Sequence, residues 1–432
     1  MWTDNNSIYQ IYPLGLCGAP YENDGLLEHR ILKVIDWIPH LKRLGIGAVL
    51  FNPVFESDKH GYDTRDLRVI DRRLGTNEDF SDVCRAFHEA GIKVILDGVF
   101  NHTGRGFWAF RHVLEHRQNS PYHNWFHINF DSDDAYGDGL WYEGWENCYD
   151  LVKLNLQNEE VISYLLDCVS FWRSEFSIDG LRLDAAYCLD REFIKRLRAS
   201  TRGQNDDFLL LGEKIGGNYN DICGPDMCQS ATNYDCYKGL YSAFNSMNLF
   251  EIIHSVLRQQ GIYQNIYMYN FLDNHDVSRI ASTVNRKEHL PLLYAMLFTI
   301  PGLPSVYYGS EWAAEGVKKF GDHELRPFFD HPQWNQLTDL IAVLTRIRAA
   351  SPALRHGSFR TLLLTNRQCI YEREGEGDRL IICINADDAA YHADFNARSG
   401  CGQDLLHQTN IDFGGGLELP AYSAMVIRPE HV

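Results

Sequence analysis

Eight short apolar runs alternate with longer amphipathic stretches over the first 350 residues of this 432-residue chain, and that alternation restricts the fold more than any other feature. The runs cover residues 8–12, 45–51, 93–99, 180–184, 209–212, 231–234, 267–272 and 303–308. Their length and their β-branched and aromatic content mark them as strands. Helix-period patterns fall between them, at 34–44, 78–90, 160–175, 191–200, 240–259 and 290–299. Regular alternation of strand and helix builds a parallel sheet. Eight such units fit a closed (β/α)8 TIM barrel better than an open sheet.

Two departures set the expected boundaries. The stretch 103–155, between the third and fourth strands, is too long for one connection, polar, aromatic and poor in helical pattern. It reads as a subdomain inserted over the barrel mouth. After about Ser351 the texture changes to β runs with Gly-rich turns, at 362–364, 380–384 and 424–427. The expected organisation is a barrel over 1–102 and 156–350, an insert (subdomain B) over 103–155, and a C-terminal antiparallel β-sandwich over 351–432.

Composition narrows the partners. A net charge of −18 argues against nucleic acid, which selects basic surfaces, and suits a neutral substrate. Eleven cysteines, an odd number without a CxxC pair, signal neither a zinc site nor a disulfide framework, so a reducing, cytoplasmic setting is expected. No signal peptide is visible at the N-terminus. The longest apolar stretch, 290–308, is broken by Pro291, Pro301 and Pro304, so no membrane span is expected.

The chemistry lies at the strand ends. The third strand closes on Asp97-Gly98-Val99-Phe100-Asn101-His102, the fourth on Arg182-Leu183-Asp184, the fifth on Gly212-Glu213 and the seventh on Asp273-Asn274-His275-Asp276. One acidic residue after a strand is commonly a helix N-cap. Several carboxyls with an Arg and two His at one barrel mouth need another explanation, because catalytic groups gather where barrel strands end. Arg182 and Asp184 are two apart on one strand and share a face, so the guanidinium is expected to hold the carboxylate ionised. Retaining glycoside hydrolysis needs an ionised nucleophile and a protonated acid roughly 5 Å apart, which neighbouring strands can supply. Asp184 suits the nucleophile. Glu213, after the apolar run 208–211, suits the acid/base. Asp276 would face the sugar from the other side, with His102 and His275 within reach of its hydroxyls and His60-Gly61-Tyr62 offering an aromatic platform.

These four segments, in this order, resemble the four sequence signatures of the α-amylase superfamily (glycoside hydrolase family 13). His60-Gly61-Tyr62-Asp63 and the run from Gly302 to Gly309 match as well, so the resemblance spans essentially the whole chain. It implies Asp184 as nucleophile, Glu213 as acid/base and Asp276 as transition-state stabiliser. Tyr62, His102, Arg182, His275, Asp97, His60 and Arg326 would be substrate contacts, with Asp97 alternatively a buried support. The implied activity is retaining cleavage of α-1,4-glucosidic bonds in maltooligosaccharides or starch-type α-glucans. Transfer of the glucosyl intermediate to a sugar, as in transglycosylases or trehalose- and sucrose-converting isomerases, uses the same triad and stays open. A non-catalytic binding subunit is the remote alternative.

Residues 151–155, Leu-Val-Lys-Leu-Asn, are similar to the MPKLN segment of neopullulanases and cyclomaltodextrinases. Those enzymes carry an N-terminal β-domain that is expected to be absent here, leaving oligomeric state and cyclodextrin use open. Tyr187-Cys188 and Lys214 stand where the family commonly has other residues, so a remodelled leaving-group side is expected. No cofactor is required by this reading. Asn101 matches one calcium ligand of the family, but one ligand does not define a site that takes 6–8 oxygens. The oxygen-rich loop from Tyr21 to Gly25 is a second candidate ligand run for calcium, with a solvated turn as the preferred reading.

Overall fold

A computed structural model describes residues 2–202, 207–264, 266–319 and 321–430. The eight expected strands form one parallel ring: β1 Ile8–Ile11, β2 Ala48–Phe51, β3 Lys93–Gly98, β4 Gly180–Leu183, β5 Leu209–Gly212, β6 Ser230–Ala231, β7 Tyr269–Asn270 and β8 Leu303–Tyr307. Their order in space is β6-β5-β4-β3-β2-β1-β8-β7. A parallel bridge between Thr232 and Tyr269 joins β6 to β7 and closes the ring. The TIM-barrel expectation therefore holds.

Alternate residues of each strand point into the lumen. Ile8, Leu50, Ile95, Leu209, Leu211 and Leu303 pack there as an apolar plug. Two residues further up the strands the lumen changes character: Gln10, Asn52, Asp97 and Arg182 are all buried. The register places Arg182 directly beside Asp97 on β3 and Leu211 on β5. This polar layer is the floor of the site.

The outer helices follow the expected pattern with two corrections. The helix foreseen at 34–44 begins as a 3-10 turn, Arg30–Trp37, and becomes α-helical over Ile38–Leu44, where Pro39 fits the first turn. The helix foreseen at 240–259 is two helices, Tyr234–Asn245 and Phe250–Ile262, because Met247 takes a left-handed backbone with φ 54°. Asn233 caps the first of these through Cys236 N–H at 3.1 Å, which ends β6 two residues after it begins.

Between β3 and β4 the chain leaves the barrel. Residues 102–104 pair antiparallel with residues 151–153, so the excursion is tied back where it starts. It contains the helix Trp108–His116, which the sequence pattern did not reveal. Trp108 and Trp125 pack with Tyr122 and Tyr164 as its aromatic core, centroids 4.9–5.7 Å apart. After the helix Gln336–Ala350 come six strands, β9 Ser358–Leu364, β10 Gln368–Gly375, β11 Asp378–Asn385, β12 Cys401–Asp404, β13 Thr409–Asp412 and β14 Ser423–Pro429. They form an antiparallel sheet in the order β9-β10-β11-β14-β12-β13, and a two-stranded pair, Tyr391–Ala393 with Leu417–Leu419, accompanies it. All eleven cysteines are free thiols. Among the described residues no helix is long and apolar enough to cross a membrane.

Candidate active site

The C-terminal ends of the barrel strands open into a cavity of about 550 Å³, a size suited to a small ligand. His60, Tyr62, His102, Asp184, Glu213, Asp276 and Arg326 line it. Asp97, Arg182 and His275 do not; they lie in the layer beneath and act on the lining groups.

Arg182 organises that layer. Its Nη1 donates to Asp97 at 2.6 and 2.7 Å and to Asp184 Oδ1 at 3.2 Å, while Nη2 lies 2.7 Å from Glu213 Oε1. Glu213 also accepts from the backbone N–H of Ala185 at 2.8 Å. The sequence suggested that Arg182 would hold Asp184 ionised. Arg182 does act in that direction, but one guanidinium serves three carboxyls and Asp184 has its longest contact. Burial and the charge of Glu213 push the Asp184 carboxyl well above the usual carboxylate range.

Asp97 accepts from Tyr62 Oη at 3.0 Å and from Asn52 at 3.1 Å as well as from Arg182. It positions Tyr62 and Arg182 from below. His275 is held by Gln10, 3.0 Å from its Nδ1, so that Nε2 faces both Tyr62 Oη at 2.5 Å and Asp276 Oδ2 at 2.9 Å. Its ring stacks between Tyr12 and Tyr62, tilted 12° from each. Arg326 reaches the other side of Asp276, 3.1 Å from Oδ1, and is itself paired with Asp322 at 2.9 Å. Burial opposes the charge on Asp276, but His275, Arg326 and Arg182 outweigh it and hold its carboxyl well below the usual range.

His102 is fully buried and partly poised for a ligand. Asn101 Nδ2 donates to its Nδ1 at 3.1 Å, which leaves the ring proton on Nε2. That Nε2 has no partner and lies 3.9 Å from Asp184 Oδ2. A sugar hydroxyl is the group it is placed to meet. Burial pushes the His102 pKa down to about 3. An exposed histidine in the unfolded chain titrates near 6.5. Between about pH 6.5 and 3 the unfolded chain therefore binds a proton that the native state refuses, so this residue lowers stability as pH falls through that window and has no effect above it. His102→Gln is expected to flatten the fall of Tm between pH 6.5 and 4, measured by thermal unfolding at stepped pH. Parallel curves for the two proteins would contradict a neutral buried imidazole.

The leaving-group side shows what the sequence could not rank. Of the insert's tryptophans, Trp145 lines the cavity and packs on His102 at 5.7 Å. Trp108 and Trp125 are committed to the insert core, and Trp141 donates to Tyr149 at 3.3 Å. Tyr187 and Ile215 line the cavity beside the candidate nucleophile and acid, and Ile215 is 57% exposed. Lys214 turns away from it, 3.5 Å from Asp221. Asp322, at the start of the loop that leads to Arg326, lines the cavity, and so do Tyr234 and Lys318, which were not singled out from sequence. Their only signal was position, just beyond β6 and β8.

Asn101 meets His102 through its Nδ2, and its backbone carbonyl accepts from Leu154 N–H at 2.9 Å. In the 21–25 loop, the side-chain oxygens of Asn23 and Asp24 each accept from a backbone N–H two residues on, both at 3.0 Å. Among the described residues no group of three or more His, Cys, Asp or Glu converges to hold a metal.

Comparison with known proteins agrees with this geometry. The α-amylase catalytic-domain family matches residues 10–347. This chain belongs to the α-amylase family. A cyclomaltodextrinase of Thermoanaerobacter pseudethanolicus is 27% identical over 96% of this chain and 76% of its own length. The intracellular maltogenic amylase of Bacillus subtilis is 32% identical, over 66% of this chain and 48% of its own. Among solved structures, the cyclic α-maltosyl-(1→6)-maltose hydrolase of Arthrobacter globiformis superposes with a TM-score of 0.86 at 26% identity, covering 99% of this chain and 100% of that one. The protein is thus an α-amylase-family glycosidase, and its large cavity at the barrel mouth is the candidate active site.

Proposed function

We propose that this glycosidase cleaves α-1,4-glucosidic bonds in maltooligosaccharides and related α-glucans by double displacement through a glucosyl-Asp184 ester. The observation that carries this reading is the single guanidinium of Arg182 bound to both Asp184 and Glu213 at the cavity floor. One side chain spanning two carboxyls keeps them close, which favours the short separation of retaining chemistry over the wider gap that seats an attacking water.

The steps follow from the contacts. Glu213 gives its proton to the glycosidic oxygen as Asp184 Oδ attacks C1, and the C1–O bond breaks. Positive charge developing at C1 favours the ionised form of Asp184, so the reacting state is the one in which Asp184 is anionic and Glu213 carries the proton it gives. Asp276, kept anionic by His275 and Arg326, stabilises the oxocarbenium-like centre. His102 Nε2–H and Tyr62 meet hydroxyls of the same ring. In the second half Glu213 takes a proton from water, whose oxygen attacks C1 and releases Asp184.

A second outcome is transfer to a sugar. Tyr187 and Ile215 give the leaving-group side an apolar wall on which a sugar ring packs better than water does. The relatives named as cyclomaltodextrinase and maltogenic amylase support maltodextrins, linear or cyclic, as substrates. Free thiols and an intracellular relative support a cytoplasmic setting.

The test is a timed product profile on maltotriose, β-cyclodextrin, starch, pullulan, sucrose and trehalose, with the anomer of the first product read by proton NMR. Activity on maltotriose with an α-anomeric product is expected. A β-anomeric product would overturn retention, and activity confined to sucrose or trehalose would overturn the substrate.

A further inference from the structure

The opposite end of the barrel carries a second cavity of about 310 Å³. Here the residues leading into β7 and β8, Met268 and Gly302, meet the start of the C-terminal sheet at Gly357 and Ser358. The polar part of its wall is Arg355, Arg373, His356, Gln259, Gln260 and Gln264. Among the described residues no carboxylate lines it, in a chain whose net charge is −18.

Two buried guanidinium groups meet at this wall, Arg373 as part of it and Arg348 behind it. Arg373 is fully buried, its Nη1 donating to Thr299 O at 2.6 Å, Nη2 to Gly357 O at 3.1 Å and Nε to Ser358 O at 3.1 Å. Arg348 is 2% exposed; it donates to Phe298 O at 3.0 Å, to Tyr267 Oη at 3.0 Å and to Gly302 O, while its Nε has no partner. Neither makes an ion pair among the described residues. Buried charges are ordinarily paired, so two neighbouring cations without a carboxylate need a cause.

Helix capping accounts for part of it. Phe298 and Thr299 end the helix Leu290–Thr299, whose free carbonyls attract cations. A helix end carries only about half a negative charge, against two guanidinium charges. The excess is visible in Arg373, whose pKa burial and the neighbouring Arg348 push down to about 9. Arg373 has three of its five N–H groups on carbonyls and keeps two donors in reserve.

We propose that this cavity binds a small inorganic anion, chloride or an oxyanion such as phosphate, which balances the Arg348–Arg373 pair and fastens the barrel to the C-terminal sheet. Arg373 supplies the charge. His356 stands at the rim, half exposed and 3.4 Å from Asp4.

The experiment is thermal unfolding of the full-length protein in sodium chloride, sodium phosphate and sodium gluconate at matched ionic strength, with calorimetric titration of phosphate. A saturable rise of Tm by a few degrees is expected with chloride or phosphate and not with gluconate, since an anion that binds only the native state stabilises it by mass action. Chloride alone would mark a spherical site, phosphate alone a tetrahedral one. Arg373→Met is expected to lose the saturable part. His356→Ala, a milder change, should weaken the apparent affinity severalfold and leave activity at the far end of the barrel unchanged. Equal effects of all three salts, or the same saturable rise in folded Arg373→Met, would overturn the proposal.

Discussion

Asp184→Asn is expected to lower kcat on maltotriose by at least ~10⁴, the scale seen when a covalent nucleophile is removed. The substitution is nearly isosteric, and the amide oxygen still accepts from Arg182 Nη1. Arg182 keeps Asp97 and Glu213 as partners, so no buried charge is stranded. Circular dichroism and Tm should therefore match the parent protein. Activity within tenfold of the parent in a folded variant would remove Asp184 from the nucleophile role, and with it the double-displacement scheme.

Glu213→Gln is expected to separate two steps that Asp184→Asn blocks together. On oligosaccharides, kcat should fall by about 10²–10⁴, since a sugar alkoxide needs a proton to leave. An aryl α-glucoside with an acidic phenol leaves unaided, so its first step should survive. The second step still lacks a base. The signature is a burst of phenol equal to the enzyme concentration followed by slow turnover, recovered by added azide, which attacks without a base. Equal loss on both substrates with no burst would assign the acid/base to another group. The amide nitrogen of Gln cannot accept from Ala185 N–H, so the side chain should turn its oxygen there and leave its nitrogen toward Arg182. Some loss of stability is expected for that reason.

Much of the fold was legible because its signals are local. An eight-unit strand and helix alternation needs only period and length, and Leu290–Thr299 and Leu209–Gly212 came out at the expected bounds. Elements decided by single residues did not. β6 is short because Asn233 caps a helix, and the helix over 240–259 breaks at Met247, a residue with no turn preference of its own. The helix Trp108–His116 escaped because its buried stripe, Ala109, Phe110 and Val113, spans little more than one turn in a stretch otherwise poor in helical pattern.

By itself the sequence determined which carboxyls stand at strand ends, since Asp184, Glu213 and Asp276 each follow a strand or its loop directly. It also determined the family to which such a set belongs. Only the tertiary structure decided how their charges are shared. The barrel register sets Arg182 beside Asp97, and the stagger of β4 against β5 brings Glu213 to the same guanidinium. Those contacts join residues 31 and 85 positions apart, and no periodicity along the chain encodes them. The same holds for the unpartnered Nε2 of His102 and for the paired cations at the far end of the barrel. Each depends on which neighbours the closed ring and the C-terminal sheet bring near, and on which they leave out.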